Sequence, residues 1–143
     1  MTKLSKLREI TLASSTNVIF LRIVSIFLLI VALQYWIRLT GVFEGAEFRY
    51  DTMSEHWRVA SLFMAIALPV TALGLWNGAS WGIVLWFPCA AIELSMHLWL
   101  TELYGPSPLK VGFHVSTVFL YLMYTTLVRF LTNKSLTQSS TNP

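Results

Sequence analysis

Four long apolar runs, separated by short breaks of glycine, proline and polar residues, set the pattern of this chain. They cover about 18–40, 53–76, 81–101 and 109–131. Each holds roughly the 20 residues that an α-helix needs to cross a hydrocarbon core of about 30 Å. The breaks carry their own signals. Gly41 reads as a helix stop. Thr52-Met53-Ser54-Glu55 has the spacing of a capping box, in which Thr52 and Glu55 satisfy free backbone donors. Asn77-Gly78-Ala79-Ser80 reads as a tight turn. Tyr104-Gly105-Pro106 closes the third run, and Ser107-Pro108 supplies a cap and first residue for the fourth. Pro69 falls inside the second run and predicts a kink there. The expected fold is an all-α membrane protein of four transmembrane helices in two antiparallel hairpins.

Outside these runs lie a basic head, 1–17, with Lys3, Lys6 and Arg8 against Glu9, and a polar tail, 132–143, expected to be disordered. The head is followed by an apolar run too long for a signal peptide and without a small-residue cleavage site, so it reads as part of a retained span. The loop 41–52 mixes Glu44, Glu47 and Asp51 with Val42, Phe43, Phe48 and Tyr50, a composition suited to the membrane surface. Trp76 and Trp81 flank the central turn as interfacial anchors. Gly74, Gly78 and Gly82 are spaced by four, but the turn interrupts any dimerisation motif.

Composition agrees with this reading. The chain is 55% hydrophobic and 12% charged, about half the charge of a soluble domain, with a mean hydropathy of +0.63. The formal charge of +3 is not gathered into a Lys/Arg patch with interleaved aromatics, so nucleic acid is not an expected partner. The expected partners are the lipid bilayer and another membrane protein. Cys89 is the single cysteine, beside Pro88 in an apolar run; it reads as a buried, inert thiol. An even number of spans places both termini on one side. Lys3, Lys6, Arg8, Arg22, Arg129 and Lys134 share that side, against Arg38, Arg49, Arg58 and Lys110 on the other, which favours cytoplasmic termini.

Chemistry concentrates in the third run. Glu93 and His97 are four residues apart and share a helical face with Trp86 and Ala90. On the fourth run His114 shares a face with Thr117, Tyr121 and Thr125. Counted from the loop end at 1.5 Å per residue, His97 lies about 6 Å deep, His114 roughly 8 Å and Glu93 about 12 Å. Arg38 ends the first span, and His56 and Arg58 begin the second, on the same side. Six polar groups are therefore candidates for one cluster: Arg38, His56, Arg58, Glu93, His97 and His114. Ionisable groups at membrane depth mark functional sites by default.

Three readings of the cluster compete. In the first it is structural, with Glu93 paired to Arg38 or Arg58 or hydrogen-bonded to His97. In the second, a carboxylate beside imidazoles serves proton transfer or binds a quinone, a lipid head group or a cation. In the third, the histidines and Glu93 hold a metal or haem. Glu-x-x-x-His is not the His-Glu-x-x-His of a zinc site, so no metal and no cofactor is expected. No Gly-x-Ser-x-Gly or Walker sequence is present, and no catalytic residue is assigned.

Tyr35-Trp36-x-Arg38-Leu39-x-Gly41, Arg49-Tyr50-Asp51, His56-Trp57-Arg58, Leu68-Pro69-Val70, Gly74-Leu75-Trp76, Trp81-Gly82, Trp86, Glu93 and Met96-His97 follow one another in an order with a counterpart. Over roughly residues 20–130 the chain resembles a family of small, uncharacterised four-helix inner-membrane proteins of alphaproteobacteria, a domain of unknown function. The resemblance implies a bacterial inner membrane and no activity. With no soluble catalytic domain or catalytic motif, the expected role is an accessory or assembly subunit of a larger membrane or envelope complex. The alternative is a small-molecule-binding or proton-linked membrane protein that uses the polar cluster.

Overall fold

A computed structural model of the protein describes residues 3–43 and 49–140, with side chains described for 16–43 and 49–130. Among the described residues all regular structure is helical: α1 (Lys3–Thr40), α2 (Glu55–Trp76), α3 (Ser80–Leu98), the single turn α4 (Thr101–Tyr104) and α5 (Pro108–Ser140). Four stretches are long and apolar enough to cross a membrane: Thr16–Thr40, Glu55–Trp76, Ser80–Leu98 and Pro108–Phe130. α1 packs on α2, α2 on α3 and α3 on α5.

The helices carry their apolar side chains outward as well as inward. Along α1, Leu21, Val24, Leu28 and Val31 are buried, while Ile19, Ile23, Ile26, Ile30 and Leu33 are exposed. The interior also holds Ser25, Ser61, Thr71, Glu93 and His114. Apolar surface around a partly polar core is the arrangement lipid demands, because hydrocarbon leaves buried polar groups only one another as partners.

Small residues bring α2 and α3 into backbone contact. A Cβ on Gly74 would lie 2.6 Å from Gly82 Cα. The glycines spaced by four thus serve a contact within the chain. Gly78, at φ +66, closes α2: Ala79 N–H donates to Gly74 O at 2.9 Å and Gly78 N–H to Leu75 O at 3.0 Å. This is a Schellman stop, which needs a residue at positive φ.

Pro69 has no N–H for the carbonyl of Ala65. Trp36 of α1 supplies one instead, its Nε1–H donating to Ala65 O at 3.0 Å. Nearby, the Ser25 hydroxyl donates to Ala72 O at 2.7 Å. The proline-bearing helix is therefore satisfied by side chains of its neighbour.

The start of α2 corrects the capping box. The helix begins at Glu55 with Ser54 as its N-cap, and no side chain caps it. Residues 49–53 form a turn, with Met53 N–H donating to Arg49 O at 2.9 Å, and the Thr52 hydroxyl turns back to the same carbonyl at 3.4 Å. The surface-segment reading of Glu44, Glu47 and Phe48 lies outside the described residues. The third helix stops at Leu98, before the separate turn α4. At the other end of the chain, α5 continues to Ser140, where polar composition predicts disorder. No Gly or Pro interrupts residues 113–140. Residues 141–143 of that tail lie outside the described residues.

Candidate functional site

Glu93 projects from the penultimate turns of α3 into the centre of the bundle and is fully buried. Three side chains from two other helices converge on it. Tyr35 of α1 donates its hydroxyl to Oε1 at 2.7 Å. Lys110, in the first turn of α5, donates from Nζ to the same oxygen at 3.3 Å. His114, one turn further along α5 and also fully buried, lies with Nε2 2.6 Å from Oε2. A carboxylate accepts only, so His114 gives Nε2–H to it. Helical spacing explains the pair on α5: Lys110 and His114 are four apart and share a face.

A buried carboxylate survives only with such partners. The expected partners were Arg38, Arg58 or His97, and the structure gives others. Arg38 stands over the Trp57 ring, 4.0 Å from its centroid. Arg58 donates to Met53 O at 3.3 Å and lies 5.1 Å from the centroid of the Tyr50 ring. His97 donates Nδ1–H to Gly105 O at 2.9 Å. Gly105 sits at φ +75 in the turn between α4 and α5. His56 directs Nε2 at Leu103 O, 3.1 Å away, and its ring meets Tyr104 edge-on. The six candidates therefore separate. Glu93 and His114 form the buried pair, Arg38 and His97 face a cavity above it, and His56 and Arg58 secure the start of α2.

Sequence reasoning missed Tyr35 and Lys110. The signals were present: Tyr35 lies three residues before Arg38 on one helical face, and Lys110 one turn before His114. A lysine at a helix start reads as snorkelling to water. Here it turns inward, and its side chain is only 14% exposed.

The cavity, of about 340 Å³, opens where α1 and α3 end and α2 and α5 begin. Its polar walls are Gln34, Tyr35, Arg38, His97, Ser107 and Lys110, with Trp57 and Tyr104 among the aromatic ones. Tyr35 and Lys110 thus line the cavity and hold Glu93 at the same time. Below this level Phe27 of α1 stacks on Phe113 of α5 at 3.3 Å between centroids, and Trp86 meets Tyr121 edge-on at 5.7 Å. His97 Nε2, His114 Nδ1 and Trp86 Nε1 are buried with no protein partner. Among the described residues no three His, Cys, Asp or Glu side chains are grouped to hold a metal ion. The arrangement can bind a small polar group, and it can pass a proton between imidazole and carboxylate.

Residues 15–132 match the model of a family of unknown function, DUF6163. The chain belongs to this family, and its four apolar helices make it a multi-pass membrane protein in class. No curated protein and no solved structure matches it.

Proposed function

We propose that this protein binds a small molecule within the membrane, in the cavity bounded by Arg38, His97, Tyr35 and Lys110. One observation carries the reading: the cavity and the buried carboxylate share two side chains, Tyr35 and Lys110. A ligand that contacts them acts on Glu93 and, through it, on His114. A purely structural ion pair has no need of a cavity walled by further cationic and aromatic groups. Its volume lies at the small end of ligand pockets, which run about 300–1,000 Å³.

The membrane is the bacterial inner membrane, with both termini in the cytoplasm and the spans paired as two antiparallel hairpins. The Lys/Arg bias of the loops supports the orientation. The cavity then opens toward the outer face.

The test is native mass spectrometry of protein released gently from its own membranes, beside a Gln34→Trp variant that fills the cavity from an exposed position. A bound small mass in the wild type, lost in the variant while the fold is kept, supports the proposal. The same mass in both, or none in either, contradicts it.

A second reading, an accessory subunit of a larger membrane complex, is favoured by α5. Only 11% of its most apolar stretch is buried, against 33%, 44% and 39% in the first three spans. Phe119, Leu122, Met123, Leu127 and Phe130 are all exposed along it. A defined protein partner in the same spectra, released by Phe119→Ala/Leu122→Ala, supports that role.

A further inference from the structure

We infer that the groove between α2 and α3 holds an acyl chain of a phospholipid with a primary amine head group, whose ammonium meets Glu55 at the rim. The groove has a volume of about 720 Å³ and shares only Tyr104 with the cavity, so the inference stands apart from the cavity's ligand. Shape is the first argument. Val59 and Phe63 of α2 line the groove with Ile92 and Met96 of α3, and Leu100 and Tyr104 close it at the Glu55 end. Glu55 and Phe63 stand about 12 Å apart along α2. That is most of one leaflet of a hydrocarbon core about 30 Å thick. Val59, Phe63 and Ile92 are exposed, so the groove opens sideways to hydrocarbon and suits an acyl chain better than a soluble molecule.

Charge complementarity is the second argument. Among the described residues no Lys or Arg lines the groove, and Glu55 is its only carboxylate. A capping box would use that carboxylate, but no side chain caps α2, and Glu55 makes no hydrogen bond or ion pair among the described residues. Its neighbours in the groove have no donor to spare. Tyr104 gives its hydroxyl proton to His56 O at 3.3 Å, and Ser95 gives its own to Ala91 O at 2.7 Å. His56 directs Nε2 at Leu103 O, so a neutral ring keeps Nδ1 bare. The polar groups of the groove are therefore acceptors. A primary ammonium brings three N–H donors and the charge opposite to that of Glu55. An anionic head group meets like charge there, and a choline has no N–H to give. The uncapped start of α2 places the positive end of its dipole beside the same rim, where it suits the phosphate of the lipid.

The experiment is native mass spectrometry of the purified full chain in a mild detergent, titrated with phosphatidylethanolamine, phosphatidylcholine and phosphatidylglycerol of identical acyl chains. Phosphatidylethanolamine should bind about three- to fivefold more tightly than either of the others, the gain of one ion pair close to water. Glu55→Gln should erase that preference, and Glu55→Lys should turn it toward phosphatidylglycerol. Val59→Trp, which fills the groove from an exposed position, should erase the preference with Glu55 still in place. Thermal unfolding confirms that the variants fold. Equal affinity for the three lipids, a preference that survives Glu55→Gln, or one that survives Val59→Trp overturns the inference. A dimer that Val59→Trp dissolves assigns the groove to a second copy of the chain and overturns it as well. Gln34→Trp tests the cavity separately, so either reading can fail alone.

Discussion

His114 Nε2 lies 2.6 Å from Glu93 Oε2, with both side chains fully out of contact with solvent. The pair joins α5 to α3, and Tyr35 ties the same carboxylate to α1. One acidic group thus fastens three of the four spans. Replacing Glu93 with Gln removes the charge opposite Lys110 and turns one of the two acceptor oxygens into an NH2 donor, so Lys110 or His114 is left facing a donor. It should destabilise the bundle by about 3 kcal/mol, the usual cost of breaking a buried pair from one side. Replacing Glu93, His114 and Lys110 together with Leu, Phe and Met should cost less than Glu93→Gln alone, because no charge is then left buried. Unfolding in mixed detergent, followed by tryptophan fluorescence, checks the order.

Gly74 and Gly82 set the approach of α2 to α3, and neither has room for a methyl group. The nearest obstacles include backbone atoms, which cannot swing aside. Gly74→Ala and Gly82→Ala should each cost about 1–3 kcal/mol, the range for overpacking a close contact. Gly112, whose added Cβ meets nothing within 4 Å, is the control, and Gly112→Ala should cost nothing measurable by thermal unfolding.

Trp36 answers a donor that Pro69 lacks. Trp36→Phe should cost about 1–2 kcal/mol through the unsatisfied carbonyl of Ala65. In a Pro69→Ala background the new N–H reaches that carbonyl, and the cost of Trp36→Phe should shrink. A double-mutant cycle on thermal stability reads the coupling directly.

Asp51 accepts two hydrogen bonds from Arg49, at 3.2 and 2.9 Å, on the exposed turn before α2. The Arg49 guanidinium hydrogen bonds hold its carboxyl below the ordinary carboxylate range. A depressed folded-state value means that any stabilisation is present above the unfolded value and lost as pH falls through the folded one. The pair is exposed and screened by solvent, so stability should change little. The carboxyl titration followed by NMR should show the lowered midpoint, and Arg49→Gln should raise it.

Much of this could be read from the chain before its structure. The apolar runs, their glycine and proline stops and the buried face of Trp86, Ala90, Glu93 and His97 all follow from helical periodicity. Which groups meet Glu93 does not follow from it. Depth counted along helices put His97 and His114 at similar levels, but pairing depends on how each helix is rotated about its axis, and periodicity within one helix is silent on that. Lys110 does not stand out in the sequence as a partner of Glu93, because its long side chain can reach water or core from the same backbone position. The start of α2 was misread for a local reason. Thr52 and Ser54 both suit a cap, and the hydrogen bonds of the Arg49–Met53 turn decide between them.

The account stands on the contact between Glu93 and His114 and on Lys110, which carries it to the cavity. Solid-state NMR in bilayers, on protein with carbon-13 in glutamate carboxyls and nitrogen-15 in histidine rings, measures the dipolar coupling of the Glu93 carboxyl carbon to His114 Nε2. A strong direct coupling is predicted, together with a Glu93 carboxyl shift that moves in Lys110→Met. A carboxyl coupled to His97 instead, or one indifferent to Lys110, would contradict the buried cluster and the cavity reading built on it.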